Sequence, residues 1–319
     1  MTDIKNQVLN MIKINLGAKL DEKILVLADD YDKKRLELAH EVYDILLPKY
    51  NADIFTYKNT GQNGKEPDKQ VAAKLLDYDI LIMLNSFSLS HTDARRKATK
   101  NGARIASMPG FNREMFFTGM AADYSQIKKD GEKLVKLIKT EDIAKITSVN
   151  GTDLYLKLNK RIEGDFGIFA KKKEWGNLPS GEVCLWPRFA SGKLVINPGC
   201  CYEKGSSVAN KSQIEFYIEN SVLKDIKGDK LSEKLKDLFF KHEHRRKVAE
   251  LGIGLNPAAN NYKDTLEAEK IKGTIHIAFG NNIAYGGKNN SDVHYDFVLS
   301  NPNLVIGEKE VIRNGKYIL

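Results

Sequence analysis

Cysteine is scarce in this sequence. Only three occur among 319 residues, Cys184, Cys200 and Cys201, and none is spaced as Cys-x-x-Cys. So sparse and odd a number argues against a disulfide scaffold or a thiolate zinc site and is typical of a reducing compartment. Long apolar runs are also missing: the N-terminal segment MTDIKNQVLNMIKINLGAKL contains polar residues throughout, unlike a signal peptide. We therefore expect a cytoplasmic protein without a membrane partner.

Concentrated charge is absent as well. The chain has 50 Lys and Arg against 42 Asp and Glu, a net charge of +8, but the lysines are scattered and no block of five or six like charges occurs. Such a distribution is typical of a solvated surface, so we expect no nucleic-acid partner. The apolar share of 42% is that of a globular protein, and the length suffices for two domains.

The first half of the chain alternates strand-like and helical segments. Short apolar runs (ILVLA, DIFTY, ILIMLN and ARIASM) are separated by segments with helical periodicity. This order predicts βαβ units and a parallel sheet covered on both faces. From Thr147 onward, short alternating segments such as DLYLKLN and KLVIN are divided by turn residues, which predicts antiparallel sheet. The fold class is therefore α/β, with an α/β domain at 1–147 and a β-rich α+β domain at 148–319.

The segment SHTD places a serine, a histidine and an aspartate close together in the sequence. In many hydrolytic enzymes these three residue types lie close together in space. Ser90 followed three residues later by Asp93 is more typical of a helix N-cap. Sequence adjacency does not place a base next to a nucleophile, so we predict a cap at Ser90.

Four places in the second half set ionisable side chains beside turn residues or within strands. They are Glu182 in NLPSGEV, Glu250 in VAELGIGLNP, His276 in GTIHIAFG, and His294 with Asp296 in SDVHYDF. Glu182 alone could be a solvated turn carboxylate, and His276 a hydrogen-bonded core histidine. Glu250 closes a predicted helix from Leu231, where its charge opposes the helix dipole and needs compensation.

The stretch SDVHYDF predicts a two-faced strand. Side chains alternate along a strand, so His294 and Asp296 share one face while Val293, Tyr295 and Phe297 share the other. An imidazole beside a carboxylate is either half of a metal site or a structural pair that fixes the ring's tautomer. Together with the other candidates the pair makes two histidines and three carboxylates, a donor set that suits one or two divalent ions of the Zn, Co, Mn or Fe type.

These motifs resemble the M29 metallo-aminopeptidases, with aminopeptidase T and its relatives. The similar segments occur in family order: SHTDARRKATKNGARIASMPGF, SVNGTDL, NLPSGEV, AELGIGLNP, GTIHIAFGNN and SDVHYDF. The resemblance implies a Rossmann-like first domain, a β-rich catalytic second domain and a homodimer. It places a two-metal site on Glu182, Glu250, His276, His294 and Asp296, with Glu250 also the general base.

The sequence departs from the aminopeptidases at one catalytic position. Their tyrosine stands seven residues after the first histidine, where this chain has Ile283; Tyr285 is the nearest tyrosine and the candidate replacement. A related branch is equally similar: the 2,5-dihydroxypyridine dioxygenases, whose single ferrous iron would be held here by His276, His294 and Asp296.

Because both Glu182 and Glu250 are present, we expect a metal-dependent aminopeptidase, a hydrolase acting on short peptides with Zn, Co or Mn. The alternative is a non-haem iron dioxygenase that cleaves the ring of a small hydroxylated aromatic molecule, with Fe(II) as its metal.

Overall fold

A computed structural model describes residues 3–198, 201–203, 207–209, 212–262 and 265–319. The α-helices are Lys5–Asn10 (α1), Lys33–Leu46 (α2), Lys69–Lys74 (α3), Asp93–Asn101 (α4), Tyr124–Thr140 (α5), Lys230–Phe239 (α6) and Thr265–Ala268 (α7). The first ten strands are Lys23–Asp29 (β1), Asn51–Tyr57 (β2), Ile80–Leu84 (β3), Arg104–Ser107 (β4), Ile143–Thr147 (β5), Asp153–Lys157 (β6), Glu163–Asp165 (β7), Trp175–Asn177 (β8), Glu182–Leu185 (β9) and Phe189–Ile196 (β10). The remaining strands are Cys201–Glu203 (β11), Ser207–Ala209 (β12), Ile214–Glu219 (β13), Val222–Lys227 (β14), Val248–Gly254 (β15), Ile275–Gly280 (β16), His294–Leu299 (β17), Asn303–Ile306 (β18), Lys309–Arg313 (β19) and Lys316–Tyr317 (β20).

The chain divides into two compact units. The first comprises Met1–Tyr124 and Gly167–Ser180, and the second Ser125–Phe166 and Gly181–Leu319. The domain boundary predicted between residues 147 and 148 lies inside the second unit, between β5 and β6. Those two strands pair antiparallel along their whole length, so they belong to one sheet.

The first unit contains a parallel sheet in the order β2-β1-β3-β4-β8. Every residue of β3, with the sequence ILIML, is buried, as a strand covered on both faces requires. This confirms the predicted parallel α/β region, and β1 to β4 coincide with the four apolar runs of the sequence. The short strand β8 adds a fifth member from a later part of the chain.

Helix α4 begins two residues later than predicted. Its N-cap is Thr92, whose hydroxyl accepts a hydrogen bond from the Arg95 backbone N–H at 3.2 Å. Ser90, the predicted cap, shares a hydrogen bond of 2.7 Å with the Ser107 hydroxyl instead. The SHTD segment therefore starts a helix, as expected, but the threonine satisfies the helix end.

The second unit contains two larger antiparallel sheets. The eight-stranded sheet has the order β14-β13-β10-β6-β5-β18-β19-β20, and the five-stranded sheet has the order β17-β16-β15-β9-β7. All neighbouring strands in the five-stranded sheet are antiparallel. The predicted fold class, a parallel α/β region followed by a β-rich α+β region, is confirmed.

The helix predicted from Leu231 to Glu250 is wrong in its second half. Helix α6 ends at Phe239, and Glu250 lies on β15, which pairs with both β16 and β9. Every residue of β15 is buried. Long-range pairing on both edges has overridden the local helical pattern, so the helix dipole does not act on Glu250.

His242 and His244 lie just before β15. Their rings stack with centroids 5.1 Å apart and planes within 9°, because residues Glu243–Arg246 form a 3-10 turn. Both remain at the surface, and His244 Nε2 lies 3.3 Å from an Asp292 carboxylate oxygen.

Across the described residues, no helix is both long enough and apolar enough to cross a bilayer. Cys184 is buried and unpaired, whereas Cys200 lies outside the described residues.

Candidate metal centre

All five predicted ligands lie on one face of the five-stranded sheet. Residues directly opposite each other on paired strands point to the same face, and so do alternate residues of one strand. The opposed sets are Glu250–Ala278–Asp296, Gly252–His276, Gly254–Glu182 and Gly280–His294. The acidic and imidazole side chains are therefore interleaved with glycine and alanine, which leave space above the sheet.

The opposite face of the same strands is apolar. It carries Ile277, Phe279, Tyr295 and Phe297, and all four are buried. Phe216 from β13 packs on this face, with its ring centroid 4.5 Å from Phe297 and 5.7 Å from Phe279. Burial of each large apolar side chain contributes roughly 1.5 to 3 kcal/mol. This face stabilises the sheet on which the charged groups are mounted.

Glu250 connects the two histidines. Its Oε1 lies 3.4 Å from His276 Nε2, and its Oε2 lies 2.9 Å from His294 Nε2. Asp296 Oδ1 lies 3.5 Å from His294 Nε2, and Glu182 Oε2 lies 3.7 Å from His276 Nε2. The structure therefore brings together all five residues that the sequence singled out.

Potential ligand atoms within 4.8 Å of one another form three overlapping groups among the described residues. They are Glu182–Glu250–His276, Glu250–His294–Asp296 and Glu269–His276–Asp296. Asp296 shares one group with His294 and another with His276, and none of the three groups contains both histidines.

Gly252 makes room for the His276 ring. A Cβ atom at position 252 would lie 1.9 Å from His276 Cε1 and 2.0 Å from its Nε2, well inside van der Waals contact. The two residues are opposed in the β15–β16 ladder. Only glycine lets the imidazole lie across the neighbouring strand and direct Nε2 toward the carboxylates.

The tautomer of His294 is set by the backbone. Its Nδ1 lies 2.7 Å from the Asn281 carbonyl oxygen, which can only accept a hydrogen bond. The neutral ring therefore keeps its proton on Nδ1, and loss of the Nε2 proton makes that lone pair available to a metal. A hydrogen bond of this kind is the usual support for a metal-binding imidazole.

Lys270 and Glu269 belong to the same cluster and were not predicted from the sequence. Lys270 is 2% exposed, and its Nζ lies 2.5 Å from Glu182 Oε1 and 2.7 Å from Glu269 Oε1. In the sequence they stand in TLEAEKIKG, whose alternating charges are typical of a solvated helix. No local signal distinguishes them, because their burial comes from the surrounding fold.

Mutual interactions shift the pKa values of the cluster in the metal-free protein. Although burial opposes a charged ring, the hydrogen bond to Glu250 raises the pKa of His276 to about 9. Burial likewise opposes charge on His294, but Asp296 and Glu250 raise the pKa of His294 well above its usual value. Burial disfavours the Glu250 carboxylate, yet hydrogen bonds from both imidazoles hold the pKa of Glu250 well below its usual value. Protons on the imidazoles thus offset the buried negative charge, a role that a metal cation can take over.

The residues present fit a divalent ion. Glu182 Oε2, His276 Nδ1 and Asp296 Oδ1 are buried and have no hydrogen-bond partner in the described part of the chain. Buried polar atoms without partners cost roughly 1 to 3 kcal/mol each, more if charged. Two of the three are carboxylate oxygens facing the imidazoles, as expected for ligands of an ion.

Tyr285 lies next to the cluster. Ile283, at the position of the aminopeptidase tyrosine, has no polar side-chain atom that could take part in catalysis. The Tyr285 ring is half-buried and its centroid is 5.8 Å from that of His294. Burial raises the pKa of Tyr285 well above its usual value, so the phenol stays protonated. Ile283 is 48% exposed. Tyr285 as a catalytic residue remains a prediction.

The fold and the donor set define a two-unit α/β protein with a candidate His and carboxylate metal centre on an antiparallel sheet. The model of the family NicX, 2,5-dihydroxypyridine 5,6-dioxygenase, matches residues 22–319. The chain belongs to this family.

One relative of similar sequence and two solved structures are consistent with this family assignment. A 2,5-dihydroxypyridine 5,6-dioxygenase from Pseudomonas putida is 24% identical over 196 residues, which are 57% of this chain and 56% of that protein. The chain thus matches little more than half the length of this relative. The structure of 2,5-dihydroxypyridine dioxygenase from Pseudomonas putida KT2440 superposes with a TM-score of 0.79 at 18% identity, over 100% of this chain and 98% of that one. Wild-type AmpT from Thermus thermophilus gives a TM-score of 0.71 at 14% identity, over 99% of both chains. These two likenesses concern the fold.

The expected aminopeptidase function is wrong, and with it the classes hydrolase and metalloprotease. The family match and the curated relative both carry the dioxygenase name, which was the alternative. The expectation rested on Glu182 and Glu250, whose joint presence suggested a second metal. In the structure an ammonium group, Lys270 Nζ, already contacts Glu182, so a second metal is not needed to balance that carboxylate.

Proposed function

We propose that this chain is an iron-dependent dioxygenase that opens the ring of a small hydroxylated aromatic molecule of the dihydroxypyridine type. The observation that carries the proposal is the family match over residues 22–319, and it is supported by the strand register, which places His276, His294 and Asp296 on one face of the sheet. In such a reaction one ring bond breaks, both atoms of one dioxygen molecule enter the product, and no external reductant is consumed.

His276, His294 and Asp296 are the residues that would hold the ion. A ferrous ion bound there would supply open coordination positions and the redox chemistry that oxygenases use. The chain contributes the orientation: Gly252 leaves space for one ring, and the Asn281 carbonyl fixes the tautomer of the other. Gly252 belongs to the sheet and Asn281 to the adjoining loop, so the folded chain holds both imidazole rings in place before an ion binds.

Glu250 is the candidate base of the reaction. It is 2% exposed, ionised, and within hydrogen-bonding distance of His294 Nε2 at 2.9 Å. A carboxylate at this place can accept a proton from a ring hydroxyl and return it to the product. Tyr285, beside His294, offers a protonated phenol that can donate a hydrogen bond to a bound ring substituent.

The test is oxygen uptake by protein reconstituted anaerobically with ferrous iron. With 2,5-dihydroxypyridine we expect one dioxygen consumed per substrate, loss of the ring's ultraviolet absorbance, and both labelled atoms in the product when ¹⁸O₂ is used. Glu250→Gln keeps the shape of the side chain but removes the base, so kcat should fall by about 100-fold or more while iron remains bound.

Protein that holds one ferrous ion per chain, yet consumes no oxygen with 2,5-dihydroxypyridine or a panel of related dihydroxylated rings, would overturn the proposal. Incorporation of a single labelled atom would also contradict it, because that is the outcome of a monooxygenase.

The cytoplasmic location and the homodimer also remain predictions. Light scattering coupled to size exclusion checks the second, with a mass close to twice 35.9 kDa expected.

A further inference from the structure

The buried cation Lys270 adjoins the metal-binding face. Its Nζ contacts one oxygen of Glu182 and one oxygen of Glu269, at 2.5 and 2.7 Å. Both carboxylates also take part in groups of potential ligand atoms around His276. One ammonium group therefore bridges two carboxylates that could otherwise bind a metal ion.

The cluster has the composition of a two-metal site. Two-metal centres hold their ions roughly 3.5 to 4 Å apart, with carboxylates and imidazoles shared between them. Here four carboxylates (Glu182, Glu250, Glu269 and Asp296) surround two histidines, and within the described ranges Lys270 is the one permanent positive charge that contacts them. A charged lysine has three hydrogen-bond donors and no lone pair, so it can neutralise carboxylates but cannot bind a metal.

We propose that Lys270 takes the place of a second divalent cation and limits this chain to one metal ion, held on the His276, His294 and Asp296 side of the cluster. The ammonium offsets negative charge on Glu182 and Glu269 and repels another cation from the same space. This inference deepens the proposed function, because a single ion is what a ferrous dioxygenase needs. It concerns metal binding, however, and its test needs no turnover.

A purely structural role for Lys270 makes a different prediction. Removing one partner of a buried ion pair destabilises a protein by roughly 3 to 5 kcal/mol, whatever the function of the pair. That would lower the melting temperature and leave the number of bound metals unchanged. The number of ions per chain therefore separates the two roles.

The experiment compares the full-length wild type with Lys270→Met and Lys270→Arg. Each metal-free protein is titrated with Co(II) by calorimetry, and metal per chain is measured after desalting. We expect one ion for the wild type, two for Lys270→Met, in which two carboxylates lose their cation, and one for Lys270→Arg, the matched control that keeps the charge. Lys270→Met combined with Glu182→Gln should return the count to one.

Two results would overturn the inference: a folded Lys270→Met that binds one ion as tightly as the wild type, or a wild type that itself binds two. The second result decides the matter even if Lys270→Met fails to fold. Oxygen uptake by the iron-loaded wild type tests the proposed function separately. A change from one ion to two without any oxygen uptake would leave this inference standing and remove the dioxygenase proposal.

Discussion

Both units of this protein contain strands in which every residue is buried, yet they bury different side chains. In the first unit, β3 is entirely aliphatic or methionine, whereas in the second unit β15 contains Glu250 and β16 contains His276. Burial alone therefore does not distinguish a core strand from a functional one. The distinction lies in whether the buried charges are balanced by charges of the opposite sign.

Buried charge in the first unit is matched locally. Arg104 is 3% exposed, pairs with the Glu22 carboxylate and donates to the Gly17 and Ala170 carbonyls at 2.9 and 3.3 Å. In the second unit, carboxylates outnumber the permanent cation, and ligand-type atoms remain without partners in the described residues. Because an uncompensated buried charge costs several kcal/mol, such an excess indicates a site that is completed by an external cation.

The largest expected effect comes from Asp296→Ala. It removes a carboxylate that is grouped with His294 in one set and with His276 in another, so we expect activity to be lost and iron affinity to fall by more than about 100-fold. The fold should persist, because Tyr295 and Phe297 still pack on the other face of the strand. Metal analysis after desalting provides the measurement.

Asp292→Ala is the matched control, four residues earlier on the same segment. Its carboxylate is exposed and pairs with Arg245, so iron content and activity should stay at the wild-type level. Melting temperatures must be compared between metal-free proteins, since bound metal itself stabilises the native state. If Asp296→Ala retains iron at wild-type stoichiometry but the metal-free protein is less stable by about 3 to 5 kcal/mol, Asp296 is a structural partner of His294.

An intermediate effect is expected for Gly252→Ala. The added methyl group collides with the His276 ring, so the ring must move and iron affinity should fall by about 10- to 100-fold. Calorimetric titration with Co(II) measures this. The control is Cys184→Ala. Cys184 lies opposite Gly252 on β9, and its replacement by alanine adds no atoms, so the affinity should be unchanged. Equal affinities for Gly252→Ala and the wild type would show that the His276 ring does not bind the ion.

The smallest effect on the metal centre is expected from Leu81→Ala in the first unit. Leu81 is fully buried in a cluster with Leu25 and Ile105, so truncation should lower the free energy of unfolding by about 2 to 5 kcal/mol. Iron per folded chain should not change. Leu20→Ala, at a leucine that is 64% exposed, should cost less than about 0.5 kcal/mol in denaturant unfolding. A loss of iron from folded Leu81→Ala would show that the two units are not energetically independent.

Much of the fold follows from local patterns. The four apolar runs predict β1 to β4, and the alternation in SDVHYDF predicts the two faces of β17, because both depend on periodicity within one segment. The helix predicted through Glu250 fails for the opposite reason. Pairing of β15 with two strands distant in sequence outweighs the helical periodicity of its own residues.

By itself, the sequence determined the five candidate ligands that the structure brings together: Glu182, Glu250, His276, His294 and Asp296 are chemically distinctive residues within otherwise apolar or turn-rich segments. Only the tertiary structure decided that Glu269 and Lys270 join them, that Gly252 gives His276 its space, and that Glu182 already has a cation. The physical reason is that burial and pairing partners depend on strand register and long-range packing. A lysine in a charged segment has the same local sequence pattern whether it is solvated or buried between two carboxylates.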